Sequence, residues 1–288
     1  MSEKLYRYIS FEDFINLVIN HKDRFTCPSS WEDEYEGYLF SCMETRQDIY
    51  NIVSELYSSW PSDYYPAIYM NCCRMWYIKN FTYAQCWSEH EETDAMWRCY
   101  SHGNKAIRIR TTHDKLLEHA KNIFPEKESF KVELKEVKYD LSKEITIKYQ
   151  VSQMVDSQSI AEPYFHKRSV FEHEKEYRLL ITDNTFSRLH YYFMMEQELS
   201  EIEEGIKKKF EEEAINYLTD KIWERIEELK TGYNKTNYRI ENTENISVLL
   251  EGVMVHPLAP KWYVELIEDI CKKNKVQFDG QSQIYKLK

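Results

Sequence analysis

The chain predicts an α+β fold of short mixed strands interleaved with helices, plus one long charged helical insertion. Three observations carry this. Runs of strand-like alternation are brief, as at 105–111, where Ala106, Ile107 and Ile109 are set against Lys105, Arg108 and Arg110. Between such runs lie segments with apolar residues three or four apart, such as Phe11, Phe14, Ile15, Val18 and Ile19. Glycine (6) and proline (7) are too few for long flexible linkers. The 288 residues, 42% hydrophobic, therefore read as a single α+β domain, 1–288, with a helical insertion at 196–231.

Taken in order, 5–9 reads as a strand. Ser10 is then an N-cap with Asp13 at the capping-box position, opening a helix. A second strand at 24–27 stops at Pro28, and 31–40 is acidic and aromatic, a loop or short helix. A helix at 46–60 ends at Pro61; a strand follows at 83–88. Thr93 caps a helix at 93–101 that Gly103 stops. The strand at 105–111, a helix at 113–123 and a strand at 130–139 come next. Residues 157–170 are expected to be helical, and 176–182 a strand. From 196 to 230, Leu199, Ile202, Ile206, Phe210, Leu218, Ile222, Ile226 and Leu229 draw one apolar stripe along a charged helix or helix pair. A strand at 253–256, a helix at 260–273 and a strand at 284–287 close the chain.

The formal net charge of −11 argues against broad nucleic-acid binding, which needs a basic face. Much of the acid lies in 196–228, so a local basic pocket elsewhere is compatible with it. Seven cysteines without a CxxC pair suit a reducing compartment, and the N-terminal residues do not read as a signal or transit peptide. No apolar run reaches membrane-spanning length, so a cytoplasmic protein is expected. GxGxxG and GxxxxGK[ST] are both absent, which leaves classical dinucleotide and P-loop binding unsupported.

Four segments could carry chemistry. The first is Tyr6-Arg7-Tyr8, where an arginine on a strand can clamp a phosphate or form a surface ion pair. The second is 31–37, with Glu32, Asp33, Glu34 and Glu36; oxygen ligands for a hard cation and a solvated acidic turn are both open. The third runs from Cys86, Trp87, Ser88 and His90 to Asp94, Trp97 and Tyr100. Trp97 and Tyr100 share a helical face and could wall a ring-bearing ligand; a Ser88–His90–Asp94 triad lacks a nucleophile elbow. The fourth is Lys167, Phe171, Glu174, Glu176 and Arg178. On an extended strand Glu174 and Glu176 would share a face, as paired carboxylates of separated pKa or as ion-pair partners.

Together these segments resemble a bacterial family, domain of unknown function number 2971. The resemblance rests on Tyr6 and Tyr8, on Asp33 and Glu36, on Trp87-Ser88, on Met96-Trp97 with Tyr100, and on Lys167, Phe171, Glu174, Glu176 and Arg178. Glu32 and Glu34 stand where the family has Asn and Pro, Trp87 where Phe is common, and the charged helix looks like an insertion. The order of motifs is also similar to ADP-ribosyltransferase-like folds. That likeness implies NAD as substrate, Glu174, Glu176 and Ser88 as catalytic residues, and Arg7, Tyr6, Trp97, Tyr100, Lys167 and Arg178 around the nucleotide, with no metal expected. It implies an ADP-ribosyltransferase-like enzyme or NAD glycohydrolase, a toxin or phage-defence effector. The alternatives are a non-enzymatic sensor that binds a partner or itself through 196–231, and a metal-dependent nuclease using Asp33, Glu36, Glu174 and Glu176.

Overall fold

Strand alternation decides how this molecule is layered. The computed structural model describes residues 3–59, 65–101, 103–125, 130–142, 144–157, 159–183, 191–207, 209–231, 236–243 and 246–286, and for 59, 155 and 191–198 the backbone alone. The strands are β1 (Lys4–Ile9), β2 (Lys22–Thr26), β3 (Thr82–Ser88), β4 (Ile107–Thr112), β5 (Phe130–Glu136), β6 (Lys138–Leu141), β7 (His166–Arg168), β8 (Glu176–Asp183), β9 (Tyr238–Asn242), β10 (Gly252–Val255) and β11 (Phe278–Gln281). Nine form one mixed sheet in the order β11-β10-β4-β1-β3-β2-β9, with β8 on β3 and β5 on β8; β6 and β7 pair separately. Strand β3 is the junction. One of its edges pairs with β8 along its whole length, while the other meets β1 at Ser88 and β2 at Ala84.

One face of this sheet is apolar. Leu5, Ile9, Tyr83, Trp87, Ile107, Ile109, Leu179, Ile181, Val253 and Val255 alternate onto it and form a core with Phe14, Leu17, Leu116, Tyr263 and Ile267. Those last residues come from the helices Phe11–Val18, His113–Ile123 and Lys261–Lys273, which lie over it. On the opposite face, Ala84 and Leu180 join a second core of helices, and Tyr8, Met96, Trp97 and Ala106 form a small third cluster. Between these two patches the same parity of the strands carries Tyr6, Ser88, Cys86, Glu176 and Arg178, in register across β1, β3 and β8 and largely buried.

The α+β class of short strands and interleaved helices is what the structure shows. The charged segment expected as an insertion is a helix pair, Tyr191–Ile206 and Glu211–Thr231. Most of its apolar stripe turns inward: Ile202, Ile206, Leu218, Ile222 and Ile226 are buried in the helical core and Leu199 and Leu229 pack against it, but Phe210, between the two helices, is 83% exposed. Each such side chain contributes about 1.5–3 kcal/mol of burial.

Two sequence expectations are corrected, and one helix is additional to them. Residues 157–170 are not a helix. Pro163 opens the 3-10 turn Glu162–Phe165, β7 follows, and a second 3-10 turn runs Ser169–Glu174; the helix lies earlier, at Ile147–Ser157. The last strand is β11, paired in parallel with β10, and 284–286 form a turn. The helix Tyr65–Phe81 was not anticipated. It buries Ile68, Tyr69, Cys72, Cys73, Met75, Trp76 and Tyr77 on all sides, so it shows no polar face.

Candidate functional site

The acidic turn and the late Lys-to-Arg motif, more than 130 residues apart, meet in one buried cluster. Lys167 on β7 reaches three carboxylates: Glu174 at 2.6 Å, Glu176 at 3.2 Å and Glu36 at 3.3 Å. Arg178 on β8 donates from Nε to Glu176 at 2.7 Å, from Nη1 to the Tyr164 carbonyl at 2.5 Å, and from Nη2 to Glu36 and Glu176. Trp31 stacks over its guanidinium at 4.3 Å and Phe171 lies 4.8 Å from the Lys167 ammonium. Beside the cluster, Arg168 forks onto Asp33 at 3.0 and 3.2 Å.

Local backbone geometry makes this convergence possible. Lys175 sits in the left-handed region (φ 42°) and ends the 3-10 turn, so Glu174 and Glu176 reach Lys167 from either side of a bend. They do not share the face of an extended strand, as their i, i+2 spacing had suggested. Gly37, also left-handed (φ 66°), follows Glu36 immediately, and a Cβ there would fall 2.5 Å from the Tyr164 ring. The Glu176 amide donates to the Tyr139 hydroxyl at 2.7 Å, which fixes the start of β8.

The electrostatics differ between the members. Burial alone would raise the Glu176 pKa, but Arg178 and Lys167 outweigh it and hold the carboxyl at about 2. Burial wins at Glu36, whose pKa is raised despite the same two cations. Burial works against the Lys167 and Arg178 cations, yet Glu176 and Glu36 beside them raise both pKa values. Three carboxylates thus face two cations. The Glu174 side chain is 14% exposed against 5% for Glu176 and 6% for Glu36, so it is the carboxylate nearest solvent.

The residues singled out from sequence divide into two groups. Glu174, Glu176, Lys167 and Arg178 are in the cluster, joined by Glu36. Ser88 lies opposite Glu176, but its hydroxyl donates to the Glu174 carbonyl at 2.6 Å and accepts from the His90 amide, so it shapes the bend. That arrangement does not build a Ser88–His90–Asp94 triad. Tyr100 is half-exposed; its hydroxyl end is enclosed, and burial followed by the nearby Glu174 charge raises its pKa. Tyr6 is buried in the same row as Ser88. Trp97 is fully buried, edge-on to Tyr8 at 4.8 Å and bonded to Glu92, so it packs rather than walls a ligand.

Arg7 does not join the others. It projects from the apolar-face parity of β1, pairs with Asp23 at 3.3 Å and lies 5.9 Å from the Trp87 ring. Strand alternation explains this: Tyr6 and Tyr8 face one way, so Arg7 must face the other. The same parity was available in the sequence. The proposed nuclease carboxylates Asp33, Glu36, Glu174 and Glu176 are all engaged by Arg or Lys, and the described residues contain no group of three or more His, Cys, Asp or Glu side chains arranged to hold a metal. No helix among the described residues is long and apolar enough to cross a membrane.

Residues 96–179 give a weak match to the family described as "Protein of unknown function (DUF2971)". This stretch holds Trp97, Tyr100, Lys167, Glu174, Glu176 and Arg178, while Trp31, Glu36 and Ser88 precede it. Neither the curated proteins nor the solved structures give a match to the chain.

Proposed function

We propose that this chain is an NAD-consuming enzyme, an ADP-ribosyltransferase-like transferase or NAD glycohydrolase, with Glu174 as the carboxylate turned to the substrate. The observation that carries the reading is the position of Glu174. It is the most exposed member of the carboxylate cluster, is anchored by Lys167 at 2.6 Å, and lies beside the half-exposed Tyr100. Loss of nicotinamide leaves positive charge on the ribose, and a fixed carboxylate stabilises that charge without reorganising. Glu176 is a positioning residue in this reading. Arg178 and Lys167 occupy it fully, and it holds the Lys167 ammonium against Glu174. Tyr100 supplies an aromatic surface for a ring-bearing group.

In this reading the setting is a toxin or phage-defence effector that depletes NAD, or transfers its ADP-ribose to an acceptor, in the cytoplasm. Most of the apolar stripe of the helix pair, Phe210 apart, is used within the chain's own core, which favours an enzyme over a module that self-associates through that stripe.

The test is nicotinamide release by purified protein. Glu174→Gln, with folding checked by circular dichroism, is expected to lower turnover about 100-fold or more, as removal of a transition-state electrostatic partner does. Folded wild-type protein that releases no nicotinamide, or a Glu174→Gln variant as active as wild type, would sink the reading.

A further inference from the structure

A second group of buried charge lies on the same sheet face, across β1 from the carboxylate cluster, and it is incomplete. Arg108 on β4 is 1% exposed. Its Nη1 donates to the Glu91 carbonyl at 2.5 Å, its Nη2 is 4.0 Å from Asp279, and its Nε, buried, has no partner among the described residues. The nearest carboxylate is shared, because Asp279 is held more tightly by Arg110 at 3.2 Å. Arg110 has further partners in the Glu251 carbonyl and carboxylate. The Tyr6 ring lies 4.9 Å from the Arg108 guanidinium. A ring contact of this kind offsets only a small part of the cost of removing a guanidinium from water. A buried guanidinium with an idle donor and a shared counterion is arranged to receive an anion.

We infer that Arg108, with Arg110 beside it, is a binding site for a phosphate-bearing ligand. The two arginines alternate onto one face of β4, opposite Tyr8 and Tyr6. Two residues apart on a strand places them roughly 7 Å from each other, a spacing suited to an anion of more than one charge. Guanidinium forks match phosphate oxygens in geometry. Asp279 at the rim is the group an incoming phosphate displaces from Arg108. Gly252 leaves room for this exchange, because a Cβ there would fall 2.2 Å from the Asp279 carboxylate and 2.5 Å from Arg110. The site stands whether or not the chain cleaves NAD.

The experiment is calorimetric titration of the full-length protein with inorganic pyrophosphate at constant ionic strength. Wild type is expected to bind, and Arg108→Gln to bind about tenfold more weakly or worse, the loss typical of a charge-assisted hydrogen bond. Asp279→Asn removes the competing carboxylate and is expected to bind pyrophosphate more tightly, a gain that a folding defect cannot imitate. Wild type that does not bind pyrophosphate, or Asp279→Asn that binds no more tightly than wild type, would overturn the assignment.

Discussion

Two groups of buried charge share one face of the sheet and are balanced in opposite ways. Around Lys167 and Arg178, three carboxylates meet two cations, and all three guanidinium nitrogens of Arg178 have partners. Around Arg108 and Arg110, two cations share Asp279, Glu251 serves Arg110 alone, and the Arg108 Nε has no partner among the described residues. Burial is the same in both, since Arg178 and Arg108 are each 1% exposed. The difference teaches that burial of charge does not by itself distinguish architecture from a receptive site. A completed network fixes the chain; an incomplete one has a use for something else.

The most forceful way to break this comparison is to make one substitution in both places. Arg178→Met leaves Glu36 and Glu176 buried with a single ammonium between them. Removing one partner from a buried ion pair typically costs about 3–5 kcal/mol, and urea denaturation is expected to show a loss of that order. Arg108→Met trades an under-compensated guanidinium for an apolar side chain of similar length. Asp279 keeps Arg110 as its partner, so no carboxylate is stranded, and the expected loss is about 1 kcal/mol, that of the hydrogen bond to the Glu91 carbonyl. Equal losses in the two variants would show that the networks are not different in kind.

A milder probe is acid. The Glu176 carboxyl is held at about 2, below its ordinary value of 4.5. Its contribution to stability is therefore present above pH 4.5 and lost as the pH falls toward 2. Glu36 has the opposite sign. Burial raises its pKa, so protonation favours the folded state at low pH and offsets part of the loss. Urea midpoints measured from pH 6 to pH 2 are expected to fall for wild type, and to fall less for Glu176→Gln. A wild-type acid limb no steeper than that of Glu176→Gln would mean that Glu176 is not the carboxylate held down by Arg178.

How much of this was legible in the sequence follows from where polar residues end up. The helices Phe11–Val18 and Asp94–Cys99 were readable from their caps, since Ser10 and Thr93 both accept from an amide in the first turn. The helix Ile147–Ser157 was displaced in the reading because Gln150 and Gln153 are buried within it. Gln150 accepts from the Leu39 amide and Gln153 pairs with His166, so polar residues occupy core positions and blur the binary pattern. The candidate site was visible as two separate charged segments, 31–37 and 167–178. Nothing in the local sequence says that Glu36 and Arg178 touch across 142 positions; that is a product of topology. Arg108 was missed because it read as the polar side of an ordinary strand.

The finest test concerns Arg7, which the likeness in motif order grouped with Ser88 and Glu174 and the structure places on the other face. Its charge is met by Asp23 at 3.3 Å and the Arg24 carbonyl at 3.2 Å, and Asp23 also accepts from the Arg24 amide. Arg7→Gln keeps a donor at that place while removing the charge, so the expected cost is about 1 kcal/mol, the net value of such a contact. If strand parity governs, nicotinamide release and pyrophosphate binding by Arg7→Gln match wild type, because the β1 backbone separates this side chain from both charged groups. A folded Arg7→Gln variant that loses either property would put Arg7 back beside the ligand, and the two-faced reading of β1 would have to be abandoned.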